Sequence, residues 1–567
     1  MKFWDIPYER ADLEAFRREM EALICRFENA ESAEAAAEAY AAMDTLEANA
    51  LRTPRTIAQI RRDINTADEF YDAENAFYNR EIPALQPLLK RRTKALLESP
   101  FRKELEEKLG SVIFVNAEMS MKTFSPELVQ DLQRENELTA QYSKLLASAQ
   151  IEFEGKTYAI SQMQPFKLDP DDKRRLAAWT AEGNWYNEHG EELDRIYDEL
   201  VKLRDGMGRK LGYDGFTELG YYRMKRNCYT MDDVENFRIA VQDYVVPVAK
   251  KIYLRQAQRQ GREFPLNFAD KDLSFRSGNP RPVGTPEEVV ATGTKFYSEL
   301  SEETKAYWAH MTGHEMMDVE SKPGKRGGAY CTGIPAYRSP FILASLNGTA
   351  HDVEVITHEA GHGFAVFLNR DRTPIETIWP SLEACEVHSM SMEFFAEPWA
   401  EDFFGADAKK FLYTHLTGAL SFIPYGTMVD HFQHIMYEYP DFDPEERHQV
   451  WRELLGLYMP WAKPGDVPFY GDGKGWQRQQ HIYMSPFYYI DYCLAQTVSL
   501  EFWRLIREDP KVAFQTYLRY TEQGGSKVFT DLLKTAGLSS PFEEETLKKI
   551  CAEAMAFIDS YDLSGLE

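Results

Sequence analysis

Cysteine is scarce in this sequence, and long apolar runs are missing. The 567 residues include six cysteines with no C-x-x-C pair, which argues against a disulfide framework and against a cysteine-based zinc site. We therefore expect free thiols and a reducing, cytoplasmic location. No eighteen consecutive residues are apolar, so no transmembrane helix is predicted. The N-terminal segment is charged from residue 5 onward and lacks an apolar core, so we expect no secretory signal peptide.

Positive charge is also in short supply. Lys and Arg total 65 against 91 Asp and Glu, which gives a formal net charge of -26. Such a field repels nucleic acid and anionic lipid, so neither is an expected partner. There is no G-x-S-x-G motif, so a serine hydrolase of the nucleophile-elbow type gains no support. At 44% hydrophobic and 13% aromatic residues, the chain is too apolar for general disorder and long enough for large cores.

Helical periodicity dominates the chain. Charged and apolar residues alternate at helical spacing over residues 1–110 and 125–150, and again from about 170. Alternation around a Glu-Gly turn predicts a β-hairpin in 151–163. Pro- and Gly-rich breaks at 279–288 and 321–330 precede strand-like runs in 328–346, and the chain is mainly helical beyond 347. The predicted fold is mostly α, with a small β element just before a helix.

That helix carries the motif His358-Glu359-Ala360-Gly361-His362. Positions i and i+4 lie on one helix face about 6 Å apart, so His358 and His362 can bind one zinc ion. Glu359 can act as general base toward a water in the metal's open position. Thr349 is the predicted N-cap, with Asp352 three residues later. His351 lies about 10 Å from His358 along the axis and is interpreted as structural.

A catalytic zinc takes three protein ligands, and residues 380–399 are the predicted source of the third. Ser381 can cap a helix here and Pro398 can close it, and the loop 369–380 lets this helix fold back antiparallel to the first. The candidates are Glu383, Glu386, His388 and Glu393. Spacing alone does not separate Glu383 from Glu386. Because Glu386 and Glu393 are seven residues apart, one can bind metal while the other accepts a hydrogen bond from a ligand histidine.

The arrangement HDVEVITHEAGH (351–362), followed by EVHSMSMEFF (386–395), resembles the M3 peptidases. This group includes oligoendopeptidase F, thimet oligopeptidase and dipeptidyl carboxypeptidase. The family pattern E-x-x-S-x-x-x-E falls on Glu386, Ser389 and Glu393, which implies that Glu386 is the third zinc ligand. KPGKRGGAYCTG (322–333) and HIYMSPFYYIDY (481–492) resemble the family's Gly-rich loop and its substrate-facing His and Tyr segment. The N-terminal half is similar only in helical character, and the oligoendopeptidase F branch fits best.

The resemblance implies a large, mostly α, two-lobed peptidase with a deep central channel and a small β-sheet beside the HExxH helix. Region 1–320 would form one wall of the channel, and region 321–567 would be catalytic. It also implies one zinc per chain, oligopeptide substrates, and binding of the peptide as an added strand along 328–346. Gly327 and Gly328 would allow the backbone to approach the substrate closely. Two departures stand out: Ala365 replaces a histidine common in the family, and the tyrosine segment lacks the usual alternation and following glycine.

The expected function is zinc-dependent endopeptidase activity on oligopeptides. His481, Tyr488 and Tyr492 are predicted to stabilise the transition state, with Tyr489 competing with Tyr488, although an aromatic cluster at helical spacing is also typical of a core. One alternative is a dipeptide-releasing carboxypeptidase, for which Arg338, Lys325 and Arg326 could hold the substrate carboxylate. Another is a peptide-binding protein with a structural zinc, which the retained Glu359 disfavours. Monomer and dimer both remain open.

Overall fold

The computed structural model describes residues 1–322 and 324–567 and divides into two compact units. The first unit, called the HExxH unit below, consists of Met1–Lys122, Pro282–Gly405 and Leu505–Leu538. The second consists of Thr123–Arg281, Ala406–Arg504 and Ser539–Glu567. Each unit is thus built from three separate stretches of chain. Neither coincides with region 1–320 or region 321–567, and the roles of those two regions stay predictions.

The described residues are mostly helical, as predicted. In the first half the helices are α1 (Leu13–Glu28), α2 (Ala33–Glu47), α3 (Thr53–Ile64), α4 (Glu69–Glu81), α5 (Gln86–Leu97), α6 (Arg102–Leu109), α7 (Ser111–Met121), α8 (Val129–Ala147), α9 (Gln164–Lys167), α10 (Asp172–Glu188), α11 (Gly190–Lys210), α12 (Phe216–Arg223), α13 (Met231–Ala240) and α14 (Val246–Gln260).

In the second half they are α15 (Pro286–Leu300), α16 (Glu302–Gly313), α17 (His351–Asn369), α18 (Leu382–Phe395), α19 (Ala400–Phe404), α20 (Ala408–Glu438), α21 (Pro444–Tyr458), α22 (Gln480–Met484), α23 (Ile490–Glu508), α24 (Pro510–Thr521), α25 (Phe529–Ala536) and α26 (Glu544–Ser560). None of the helices in the described part of the chain is both long enough and apolar enough to cross a membrane.

The strands are short and few. They are β1 (Ile151–Phe153), β2 (Lys156–Tyr158), β3 (Leu266–Asn267), β4 (Met317–Asp318), β5 (Tyr330–Ile334), β6 (Ser339–Leu343) and β7 (Ala462–Lys463). β1 and β2 form the predicted hairpin. Glu154 and Gly155 at its turn both have positive φ, at 50° and 75°, as a two-residue type I′ turn requires.

The sheet that matters for the site has the order β4-β6-β5 and lies in the HExxH unit. β6 is the central strand, and all five of its residues are buried, which explains the continuous apolar run Phe341–Leu343 in the sequence. β5 pairs antiparallel with β6 and has no strand on its other side among the described residues. Both strands pack against α17, so the predicted small sheet beside the HExxH helix is confirmed.

Candidate active site

The HExxH motif lies in the middle of α17, but the helix begins differently from the prediction. The N-cap position is Ala350, and no side chain caps it, so the prediction of Thr349 as N-cap is wrong. Asp352 instead accepts hydrogen bonds from the backbone N–H groups of Asn347 and Gly348. The carboxylate in the first turn therefore fixes the preceding loop, and its negative charge also interacts favourably with the positive end of the helix dipole.

A glycine in the motif allows the two site helices to touch. A Cβ atom at Gly361 would lie 2.7 Å from the carbonyl oxygen of His388 and 2.7 Å from Cα of Ser389. Only a residue without a side chain fits such a contact. His358 contacts Glu393 and His362 contacts Glu386, so residue numbers increase along α17 in the direction in which they decrease along α18. The two helices therefore run antiparallel, as the sequence predicts.

His358, His362 and Glu386 come together at this helix pair. One ligand atom from each lies within 4.8 Å of the others. Nε2 of His358 is 3.3 Å, and Nε2 of His362 is 3.5 Å, from Oε2 of Glu386. Tetrahedral zinc with bonds near 2.0–2.2 Å places its ligand atoms about 3.3–3.6 Å apart. The spacing of these three side chains therefore fits a zinc ion.

Hydrogen bonds orient two of these groups. Nδ1 of His358 lies 2.7 Å from Oε1 of Glu393, and the hydroxyl of Ser389 donates to Oε2 of Glu386 at 3.2 Å. Since Nδ1 donates its proton to the Glu393 carboxylate, this hydrogen-bond assignment leaves a lone pair on Nε2 of His358. That is the tautomer in which a histidine binds metal.

The charges around Nε2 call for a cation. A lone pair facing a carboxylate oxygen at 3.3 Å is repulsive unless a positive charge lies between them. Burial lowers the pKa of His358, but the neighbouring carboxylates of Glu386 and Glu393 outweigh it and raise this pKa overall, which reflects the same preference for a positive charge beside Glu386. Burial raises the pKa of Glu386, but the two imidazoles outweigh this effect and lower the pKa overall. Two neutral imidazoles and one carboxylate, the donor set of many catalytic zinc sites, are therefore compatible with a divalent metal here.

Glu359 lies on the same helix but outside the three-residue cluster. Its side chain is buried, and burial raises the pKa of its carboxyl group. Its carboxylate adds to burial in raising the pKa of the Cys331 thiol on β5. A buried carboxylate with an elevated pKa has the properties of a general base.

The other candidates on these helices occupy different places. Glu383 is buried and accepts a hydrogen bond from Ser381 at 2.7 Å, and it is not part of the cluster. Ser381 occupies the N-cap position, but its hydroxyl makes this bond rather than a capping one. His388 is buried against the ring of Tyr520, and burial lowers its pKa to about 3. His351 is exposed and lies next to Glu354.

The predicted aromatic residues form a second cluster, within the unit that contains Ala406–Arg504. The His481 ring lies 5.5, 4.9 and 5.8 Å from the rings of Tyr488, Tyr489 and Tyr492. Nε2 of Gln479 is 2.9 Å from Nδ1 of His481. The spacing of four between Tyr488 and Tyr492 predicts that one helix carries both, which is wrong because α23 begins at Ile490. The turn after α22 nevertheless brings these two rings within 5.1 Å of each other.

The cations considered for binding a substrate carboxylate all have acidic partners in the HExxH unit. Lys325 pairs with Asp318 at 2.6 Å, Arg326 with Asp63 at 3.2 Å and exposed Arg338 with Asp371 at 2.7 Å. Lys325 and Arg326 belong to the Gly-rich loop, of which Pro323 lies outside the described residues.

Two protein-family models match this chain, one near its N-terminus and one over most of its C-terminal half. The family model described as the Peptidase M3 N-terminal domain matches residues 3–124, and that of Peptidase family M3 matches residues 287–551. The second range contains both side-chain clusters. The first corrects the expectation that the N-terminal half is similar only in helical character. Amphipathic helices without a short chemical motif gave no signal from which this match could be predicted.

Two curated relatives align with part of the chain. Oligopeptidase PepF of Bacillus subtilis (strain 168) is 22% identical over 374 residues, 64% of this chain and 48% of PepF. The oligoendopeptidase F homolog of Borreliella burgdorferi is 26% identical over 234 residues, 39% of this chain and 38% of that protein. The aligned part thus spans less than half the length of either relative.

Solved structures align over nearly the whole chain. PZ peptidase A, solved with an inhibitor, is 43% identical with a TM-score of 0.96, and the alignment covers 99% of this chain and 100% of that one. A protein from Bacillus anthracis strain Ames, assigned as an oligoendopeptidase F, is 40% identical with a TM-score of 0.91 and 99% coverage of both chains.

A helical fold with a small sheet beside an HExxH helix, and a His-His-Glu cluster formed with the next helix, defines a class of metallopeptidases. The chain belongs to peptidase family M3 and is of the oligoendopeptidase F type.

Proposed function

We propose that this protein is a zinc-dependent oligoendopeptidase that hydrolyses internal peptide bonds of short peptides. His358, His362 and Glu386 hold one zinc ion, and Glu359 is the general base. The observation that carries the proposal is the spacing of the three ligand atoms, with distances of 3.3 and 3.5 Å to one carboxylate oxygen. Three ligands match a catalytic site with an open position, whereas structural sites usually have four. Glu359 would also have no purpose in a structural zinc site.

The chain's own side chains divide the work of hydrolysis. When bound, zinc supplies Lewis acidity, which polarises the peptide carbonyl and makes water acidic near neutral pH. Glu359 accepts a proton from the attacking water and later delivers it to the leaving amine. Burial raises the pKa of this carboxyl group, which makes its carboxylate a stronger base toward the attacking water. Glu393 keeps His358 in the metal-binding tautomer throughout.

Substrate binding is proposed to use the sheet and the aromatic cluster. β5 is an edge strand that packs against α17, the helix of Glu359, so an extended peptide can pair with its backbone as an additional strand. His481 with Tyr488 or Tyr492 donates a hydrogen bond to the carbonyl oxygen as negative charge develops there. A tyrosine hydroxyl suits this role because it donates while remaining neutral. This part rests on the family resemblance and on the clustering of the four rings.

Endopeptidase action is preferred over release of C-terminal dipeptides for an electrostatic reason. An exopeptidase of that kind needs a cation for the substrate's terminal carboxylate. The Lys325 side chain is 1% exposed and paired with Asp318, so recruiting it would mean breaking a buried ion pair. Arg326 and exposed Arg338 also have aspartate partners, although these more exposed pairs oppose recruitment less strongly. The names of the relatives, oligopeptidase and oligoendopeptidase F, agree with internal cleavage of oligopeptides.

We also propose a cytoplasmic location and oligopeptide substrates as partners. Cys25 is an exposed free thiol, which is easiest to keep in a reducing compartment. The net charge of -26 disfavours nucleic acid and anionic membranes as partners. Monomer and dimer remain equally compatible with the sequence.

Peptide digestion tests the function directly. Purified wild-type protein and Glu359→Gln are given peptides of graded length, with and without a chelator, and products are identified by mass spectrometry. Internal cuts that stop on chelation and return with zinc support the proposal. Glu359→Gln should retain zinc while kcat falls by roughly 10²–10⁴-fold, because the proton acceptor is lost. Only C-terminal dipeptides would favour the exopeptidase, and near-normal activity of the zinc-loaded variant would overturn the role of Glu359.

A further inference from the structure

The loop 370–381 joins the two metal-binding helices, because α17 ends at Asn369 and α18 begins at Leu382. It therefore sets where Glu386 stands relative to His358 and His362. Ligand positions usually need to be held within about 0.5 Å for a working metal site, so whatever holds this loop also shapes the site.

Helix α2, within the matched N-terminal domain, holds the loop with two buried side chains. The Asp44 carboxylate accepts a hydrogen bond from the backbone N–H of Ile375 at 2.6 Å. The Tyr40 hydroxyl donates to Oε1 of Glu376 at 2.5 Å. Tyr40 is 3% exposed and Asp44 is 2% exposed, so both bonds start from fixed, water-excluded positions. The guanidinium of Arg92 lies 4.6 Å from the Tyr40 ring and 3.8 Å from Asp44.

The opposite side of the loop is fixed by backbone. The N–H of Gly525 donates to the carbonyl of Thr377 at 2.7 Å. A Cβ atom at Gly524, where φ is +49°, would lie 2.7 Å from that same carbonyl oxygen. At Gly525 it would lie 2.3 Å from the carbonyl oxygen of Trp379. The loop is thus held between α2 and the turn that follows α24.

The held loop reaches the metal cluster itself. The ring of Trp379 lies 6.4 Å from that of His362. Its indole nitrogen would be 3.6 Å from a Cβ atom at Gly333 on β5. Two residues beyond Trp379, Ser381 occupies the N-cap position of α18. A shift of Ile375 or Glu376 would therefore be passed to both the wall of the site and its third ligand.

We propose that Tyr40 and Asp44 are positioning residues, through which the N-terminal domain sets the geometry of the metal site by holding the loop between its two ligand-bearing helices. This inference rests on the proposed zinc function. Neither residue touches the metal ligands, so each acts through Ile375 and Glu376. The N-terminal domain thereby contributes to metal affinity and to catalysis at a distance.

Energetics favour this role over simple stabilisation. Asp44 is buried, and burial raises its pKa to about 6 even though the Ile375 N–H and Arg92 oppose the shift. Burying a carboxylate carries a desolvation penalty that often exceeds the gain from its partners. A hydrophobic residue there would serve stability as well. The specific gain from Asp44 is the direction of its hydrogen bond to the loop.

Zinc affinity of folded protein tests the proposal. Tyr40→Phe removes only the hydroxyl that reaches Glu376, and Asp44→Ala removes the acceptor for Ile375. Asp44→Asn retains an acceptor and should restore most of the effect. Zinc affinity is measured by competition with a chelating indicator, and kcat and KM are measured on one peptide, below the unfolding temperature of each variant. We expect affinity to fall by roughly 2- to 30-fold in Tyr40→Phe and Asp44→Ala, the range of long-range coupling effects.

Glu47→Gln is the matched control. Glu47 is buried on the same helix and pairs with Arg52 at 2.6 Å and with the same Arg92 at 2.5 Å, rather than with loop 370–381. It should lower stability while leaving zinc affinity within about twofold of wild type. If Tyr40→Phe and Asp44→Ala are folded and bind zinc like wild type, the proposal is overturned. A wild type that binds no zinc and cleaves no peptide instead defeats the proposed function, so the two failures are distinguishable.

Discussion

The Nδ1 atom of His358 lies 2.7 Å from Oε1 of Glu393, seven residues beyond Glu386 on α18. Seven residues are about two helical turns, so one face of α18 presents both carboxylates to α17. Glu386 points to the imidazole nitrogens that face the proposed metal. Glu393 accepts a hydrogen bond from Nδ1 on the far side of the His358 ring. One helix thus supplies a ligand and the group that orients another ligand.

This relationship predicts a graded series of metal affinities. Glu386→Ala should lose most bound zinc, because it removes a ligand. Glu393→Ala should weaken zinc binding by roughly 10–100-fold, because His358 loses its orienting partner. Glu383→Ala is the matched control, since Glu383 is buried on the same helix but bonds to Ser381. Metal analysis of the purified variants measures all three. Loss of zinc from Glu383→Ala with retention in Glu386→Ala would reverse the ligand assignment.

A second prediction concerns the contact between the two helices. Gly361→Ala should gain up to about 1 kcal/mol of helix propensity. Its methyl group, however, would approach the backbone of His388 and Ser389 to 2.7 Å, and overpacking of this kind typically costs about 1–3 kcal/mol. The helices must move apart, so zinc affinity should fall at least tenfold. Gly418→Ala on α20, where nothing lies within 4 Å, is the control and should bind zinc normally. Equal affinities would show that the pair tolerates the methyl group.

The aromatic cluster can be tested one hydroxyl at a time. If a tyrosine hydroxyl stabilises the developing charge, its Tyr→Phe variant should lose kcat while KM changes little. The variants are Tyr488→Phe, Tyr489→Phe and Tyr492→Phe, with His481→Ala alongside. We expect the largest loss at Tyr492 and a smaller one at Tyr488, with unchanged thermal stability. Wild-type kcat in all three phenylalanine variants would mean that the cluster only packs.

Acid sensitivity is predicted from His434 on α20. Burial lowers its pKa to about 4, and Arg238 acts in the same direction against the opposing effect of Asp430. Between about pH 6.5 and 4 the unfolded chain therefore binds a proton that the folded chain does not, so stability falls as pH falls through this window. The contribution is on the order of a few kcal/mol at pH 4.

His434→Gln should lessen this loss. The Tyr221 hydroxyl, 3.1 Å from Nε2 of His434, can still bond the amide. The midpoint of chemical denaturation, measured at pH 7 and pH 4.5, should change less in the variant than in wild type. His351→Gln serves as control. The pKa of this exposed side chain is raised, so its removal should not lessen the loss of stability in acid. Identical pH dependence of His434→Gln and wild type would contradict the assignment.

Much of the local chemistry could be predicted from the sequence, because it depends on short-range geometry. Spacing of four residues puts His358 and His362 on one helix face in any fold, and a Glu-Gly pair between alternating residues makes a hairpin. The mostly helical character followed from apolar periodicity in the same way. Errors arose where a residue had more than one local partner available. Asp352 bonds backwards to Asn347 and Gly348 rather than completing a cap with Thr349.

Only the tertiary structure decided which residues of different helices come into contact. Glu383 and Glu386 are equivalent by spacing, and only the packing of α18 on α17 brings Glu386, and not Glu383, to the two histidines. That packing depends on Gly361, whose missing side chain lets the backbones touch. The hold of Tyr40 and Asp44 on residues 375 and 376 joins positions more than 300 residues apart in the chain. No periodicity or motif encodes such a contact, because it exists only once the intervening chain has folded.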